Sequence, residues 1–108
     1  MILLALAIAA PEAPPVVVSP LQTSQLAEAC SGKDADTTAS FCTGYILGAF
    51  DALSLSHQIC PSAANASTIK VVVSVARKYL RSHKKSWSSA PIFVIRTALK
   101  TAFACKGP

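Results

Sequence analysis

Cys30, Cys42, Cys60 and Cys105 are the side chains of this 108-residue chain with the most chemistry open to them. A thiol can hold a metal, attack a substrate or pair with a second thiol. Metal binding asks for closely spaced ligands, and here there is no CxxC pair, nor does His57 or His83 complete a zinc pattern. Nucleophilic attack asks for a free thiolate, which oxidation would consume. Disulfides, and with them an oxidising compartment, are the reading left. Other catalytic pairings fare no better. Asp51 and His57 are six residues apart, which puts them on different faces of a helix, and nothing marks any of the serines as a nucleophile. Asp51 reads as an acid that caps or bridges something within the fold, His57 as a helix-end residue favoured near the negative pole, and His83 as surface. The residues point away from an enzyme and from any cofactor or metal.

The element that must position the rest is the stretch from Phe41 to Pro61, FCTGYILGAFDALSLSHQICP, which has a cysteine near each end of an apolar run. Tyr45, Ile46, Phe50 and Leu53 recur at helical steps, and from Phe41 to Leu55 the only charge is Asp51. Gly44, Gly48 and Ala52 fall four residues apart and form a smooth row that another backbone can approach closely. Two glycines inside a helix cost roughly 1 kcal/mol each against alanine, so close packing is expected to offset them. The row could serve a homodimer or the internal core, and the core is the expectation. A GxxxG pair also occurs in membrane helix dimers. About 15 residues rising 1.5 Å each give roughly 22 Å, short of a hydrocarbon core of roughly 30 Å, so no membrane span is predicted.

Composition sets the outer limits at one small domain. Hydrophobic residues make up 52% of the chain, which excludes a disordered one, and an aromatic share of 6% suits aliphatic helix packing better than a β-sandwich. Met1 to Ala9 reads as the apolar part of a secretory signal, with Ala7-Ile8-Ala9 as a small-x-small cleavage site, so the mature chain is expected to begin near Ala10 in the periplasm. No Lys or Arg precedes Lys33, and the missing basic segment leaves room for a start codon upstream. Residues 10–22, with Pro11, Pro14, Pro15 and Pro20, read as a flexible linker, because prolines end any helix at once. The folded domain is set at residues 23–108.

Within that domain, TSQLAEAC from Thr23 gives a short amphipathic helix carrying Leu26, Ala27 and Cys30. Residues 31–40 are small and polar and read as a loop. A second loop follows Cys60-Pro61. There Asn65-Ala66-Ser67 fits a glycosylation sequon, but a turn leading to Ser67 as a helix cap is the stronger reading. Ile69 to Arg81 is rich in β-branched residues, which leaves a strand over Lys70 to Val75 open. Its period favours a helix, with Ile69, Val72, Val73, Ala76, Tyr79 and Leu80 on one side and Lys70, Ser74, Arg77, Lys78 and Arg81 on the other. SHKKSWSS, residues 82–89, is a polar connection. A last helix runs from about Pro91 to Phe103, with Ile92, Ile95, Leu99, Ala102 and Phe103 inward. The sum is an all-α fold, a small disulfide-stapled bundle of about four helices, whose structural core includes Gly44, Tyr45, Gly48, Asp51, Tyr79, Leu80, Leu99 and Phe103.

Charge is unequally shared. Residues 1–69 hold all five acids and one base, Lys33, while residues 70–108 hold nine Lys or Arg and no acid. Nucleic acid is not the expected partner, since no recognised motif accompanies the charge and a secreted, disulfide-bonded chain rarely meets it. Trp87 beside Lys84 and Lys85 could act as a stacking platform, but one aromatic makes a thin one. A solvated helix face is the first expectation, and an anionic protein or envelope polymer as partner is the next.

Cys42-Thr43-Gly44-Tyr45-Ile46 with Gly48, Asp51 and Ala52, then Ile59-Cys60-Pro61, the helix ending in Lys78-Tyr79-Leu80, and Ala98-Leu99 to Phe103-Ala104-Cys105 form an ordered set. The set resembles the bacterial immunity family of type VI secretion, the Rap and Tai proteins, the latter named as type VI amidase immunity proteins. The resemblance runs from Cys30 to Cys105. It implies a small, helical, periplasmic protein, often a dimer, that neutralises a peptidoglycan amidase effector by binding it. Two departures stand out: the family's usual Phe-Pro-Cys ending is Phe-Ala-Cys here, and the acidic, proline-bearing connection often found after Tyr-Leu is the basic SHKKSWSS. Aromatic and cationic anchors dominate such interfaces, so His83, Lys84, Lys85 and Trp87, all read as exposed, are the expected contacts with the amidase. The alternative is an orphan envelope structural or stress protein on the same scaffold without a toxin partner, and an amidase-like neighbouring gene would separate the two.

Four cysteines allow three connectivities, and topology chooses among them. If short loops make the helices alternate in direction, Cys30 and Cys42 lie at one end of the bundle, and Cys105 arrives beside Cys60 at the other. Cys30 with Cys42 and Cys60 with Cys105 are the predicted pairs.

Overall fold

The computed structural model describes residues 14–66 and 68–106. The signal segment and the start of the linker therefore lie outside the described residues, and the cap of the third helix is Thr68, one residue beyond the expected Ser67. Residues 14–22 carry no regular structure, and Val16 and Val17 stand exposed. Then come four helices, α1 (Thr23–Ala29), α2 (Phe41–Leu55), α3 (Ile69–Ser82) and α4 (Pro91–Ala102), with one 3-10 turn, Lys84–Ser86, between the last two. Among the described residues there is no strand.

Local chemistry sets the helix ends. Ser40 caps α2, its Oγ accepting from the Thr43 N–H at 3.2 Å, and Thr68 caps α3 in the same way, accepting from Val71 N–H at 3.3 Å. Pro91 opens α4, where a missing N–H costs nothing. At the far end of α2 the chain reverses through His57, which takes a left-handed φ of 59°. His57 N–H donates to the Ser54 carbonyl and Gln58 N–H to that of Leu53, so these two carbonyls near the end of the helix are satisfied. The Lys70 to Val75 segment is helical despite its propensity, because the helical period puts Val72, Val73, Ala76 and Leu80 together in the core.

That core is a single aliphatic cluster: Leu26 from α1, Cys42, Ile46 and Leu53 from α2, Ile59 beyond it, and Ile95, Leu99 and Phe103 from α4 and its end. Phe50 meets the Phe103 ring edge to face at 5.5 Å. Leu80, Leu99 and Phe103 are buried, while Tyr45 and Tyr79 are partly so. Three expected core residues are not there. Gly44 and Gly48 are exposed, with no atom within 4 Å of where a Cβ would sit, and Asp51 is exposed and makes no hydrogen bond among the described residues. The reason is angular. The buried row of α2 is Cys42, Ile46, Ala49 and Leu53, and each of the three lies two residues, or about 200°, from a member of it. In α4, Ala102 is exposed and Ile92 half-buried, and Val94 and Ala98 fill the core in their stead.

Cys30 is joined to Cys42, with Cα atoms 5.0 Å apart, and Cys60 to Cys105, at 4.7 Å. The first link ties the end of α1 to the start of α2. The second brings the carboxyl ends of α2 and α4 together, where Cys60 N–H also donates to the Phe103 carbonyl at 2.8 Å.

Candidate protein-binding surface

The connection from His83 to Ala90 is held in shape by helix α1. A helix N-terminus leaves its first N–H groups without partners in the helix. Those of α1 find theirs in the connection: Thr23 N–H donates to the Ser89 carbonyl and Ser24 N–H to the Trp87 carbonyl, both at 2.9 Å. The Thr23 hydroxyl, fully buried, adds a second bond to Ser89 at 2.8 Å. Within the connection, Ser86 N–H donates back to the His83 carbonyl and Trp87 N–H to that of Lys84, which makes the short turn.

The four expected contact residues sit together on this connection but differ in kind. Lys84 and Lys85 are exposed, with no carboxylate at ion-pair distance among the described residues. His83 is exposed and stacks flat on Tyr79, ring centroids 3.6 Å apart. Its Nδ1 lies 2.8 Å from the Tyr79 carbonyl and 2.9 Å from the Ser82 hydroxyl. Trp87 departs from the expectation of an exposed anchor. It is half-buried, because its indole N–H donates to the Leu80 carbonyl at 2.9 Å, in the last turn of α3. Its ring lies 5.7 Å from Lys84 Nζ, a cation held over an aromatic face.

The polar side of α3 is not simply solvated. Ser74, Arg77 and Arg81 pin down the loop after α1. Ser74 Oγ donates to the Asp34 carbonyl at 3.1 Å, and Arg81 grips the Asp34 carboxylate with both terminal nitrogens. That hydrogen bond, helped by the charges of Arg81, Lys78 and Arg77, holds the Asp34 carboxyl below its ordinary value and raises Arg81. The neighbouring Asp36 is lowered too, chiefly by hydrogen bonds from Thr38. Arg77 is only 4% exposed, and its Nη1 donates to the carbonyls of Cys30 at 2.9 Å and Ser31 at 3.2 Å. It thus places a positive charge at the carboxyl end of α1, where the helix dipole favours one. Gly32, with φ of 110°, turns the chain tightly beside this guanidinium.

Sequence reasoning missed Arg77 by sorting charges outward. The signal was there in the spacing: Arg77 is four residues after Val73, about 40° round the helix from it, and so borders the arc the core occupies. Elsewhere the side chains offer little chemistry. Asp51 and His57 are exposed, and all four cysteines are paired. Among the described residues no cluster of His, Cys, Asp or Glu could hold a metal, and no helix is long and apolar enough to cross a membrane.

The family model for Rap1a immunity proteins matches residues 22–105. No curated protein and no solved structure matches the chain. The matched segment takes in all four helices, both cysteine pairs and the whole 83–90 connection, so this chain belongs to the Rap1a immunity protein family.

Proposed function

We propose that this member of the family is exported to the periplasm, where it binds and inhibits a type VI secreted peptidoglycan amidase, with His83, Lys84, Lys85 and Trp87 in the contact. The observation that carries the reading is the ordered cationic connection itself. Its backbone is fixed by α1 and its aromatic by Leu80, so little conformational freedom is left to lose on docking. Family membership supplies the class, an immunity protein directed at a protein toxin, and the proposal is that it acts by binding alone. The paired cysteines fit an oxidising compartment, and Met1 to Ala9 is the segment that would take the chain there.

Co-expression with a periplasm-directed cognate amidase tests this. The full chain should rescue the cells, and a chain lacking residues 1–9 should not. A Lys84→Glu, Lys85→Glu double variant should weaken rescue modestly with an unchanged melting temperature, since charge reversal at a rim acts mainly on association. Full rescue by the double variant would remove this connection from the interface. Failure of the full chain to rescue would sink the immunity reading itself.

A further inference from the structure

Between the end of α1, helix α3 and the 3-10 turn lies a cavity of about 240 Å³. Ala27, Leu80 and Trp87 give it apolar walls, and Arg77, Arg81 and Lys84 give it three cations. No Asp or Glu lines it; the nearest carboxylate in the network, Asp34, is engaged by Arg81. We propose that this cavity is a carboxylate pocket and that its occupant is one acidic side chain of the bound toxin. The identity of the occupant rests on the immunity reading, but the chemistry of the pocket does not.

Arg77 is the most deeply buried of the three cations. A guanidinium has five N–H donors, and Nη1 is occupied by the two carbonyls at the end of α1. Arg77 lines the cavity, and its Nη2 makes no hydrogen bond among the described residues. Nε has no partner either, but it is enclosed, so a ligand in the cavity reaches it only with a small shift of the side chain. A buried charged donor left without an acceptor is an unfavourable state that native structures seldom keep without reason. A carboxylate is a planar anion that a guanidinium can grip with two parallel bonds, and Lys84, which unlike Arg81 has no carboxylate partner among the described residues, adds to the positive field at the same place. The walls decide between a bare anion and a side chain. Leu80, Ala27 and the Trp87 ring suit the methylene stem of a glutamate or aspartate, and a small inorganic anion would leave them uncovered. Position then favours a protein as the source. Lys84 and Trp87 belong both to the cavity and to the ordered connection, so a partner lying across residues 83–87 covers the cavity as well.

The test has two arms. In the first, the purified ¹⁵N-labelled chain is titrated with N-acetylglutamate and, separately, with N-acetylglutamine, while the Trp87 indole and Arg77 Nε–H resonances are followed by NMR. Both resonances should move with the acid and stay in place with the amide, and Ala27→Leu, which fills the cavity without altering charge, should abolish the movement. No movement up to about 100 mM, well beyond the millimolar affinity of a weak single contact, or equal movement with the amide, overturns the carboxylate pocket. In the second arm, affinity for the toxin that the wild-type chain neutralises is compared between wild type and Ala27→Leu, with circular dichroism confirming that the variant is folded. A loss of about tenfold or more, the scale of one charge-assisted hydrogen bond, supports the toxin side chain as occupant. Unchanged toxin affinity in a variant that no longer responds to N-acetylglutamate overturns that occupant. Wild-type rescue of poisoned cells is scored separately, so a failed immunity reading is not confused with a failed pocket.

Discussion

Arg77 shows how far a single residue can depart from its expected place. Its charge suggested solvent, yet it is buried against two backbone carbonyls at the end of α1. Replacing it with methionine keeps much of its volume but leaves the Cys30 and Ser31 carbonyls without that donor. Arg77→Met should lower stability by about 1–3 kcal/mol in urea unfolding, the cost of stranding buried polar groups. A neutral result would mean that water or a neighbour replaces the guanidinium. His57 is the opposite case, a residue whose end-of-helix role could be read from the sequence but whose backbone conformation could not. A left-handed φ of 59° is strained for any side chain with a Cβ, so His57→Gly should stabilise the protein by about 1 kcal/mol, seen as a higher urea midpoint. Nothing in the local spelling His57-Gln58 announces that turn, because glycine is the usual signal and is absent.

At the scale of the element, the periodic signals were legible and the small-residue signal was not. Helices α2, α3 and α4 begin and end within two residues of where apolar spacing and Pro91 put them. The spacing of Gly44, Gly48 and Ala52 suggests a packing strip, but small residues on a helix are equally compatible with open solvent, and only the position of the Cys42, Ile46 and Leu53 row decides which face turns inward. Because a Cβ at position 48 would meet nothing within 4 Å, Gly48→Ala should raise the stability of the isolated chain by about 0.5–1 kcal/mol through helix propensity alone. Thermal denaturation over a range of protein concentrations checks this. A loss of stability that grows with concentration would show that a second copy packs on this face.

For the whole molecule, the two cysteine pairs divide the labour by loop length. The Cys30 link spans 12 residues of sequence and the Cys60 link 45, which on the chain-entropy account stabilise by about 3 and about 4 kcal/mol. Cys60→Ser with Cys105→Ser should therefore lower the melting temperature more than Cys30→Ser with Cys42→Ser; the reverse order would mean that native-state geometry outweighs loop closure. Spacing could name the cysteines as disulfide partners, but choosing between partners took the direction of every helix, which is a property of the assembled chain. The connection from His83 to Ala90 has the same non-local character. Its backbone leans on Thr23, 66 positions away from Ser89. Contacts of such separation form late, because the intervening chain must first be closed into a loop. A nascent chain emerging from its amino end thus carries α1 long before the segment that α1 will shape, and the connection takes its form only once Ser89 has been delivered.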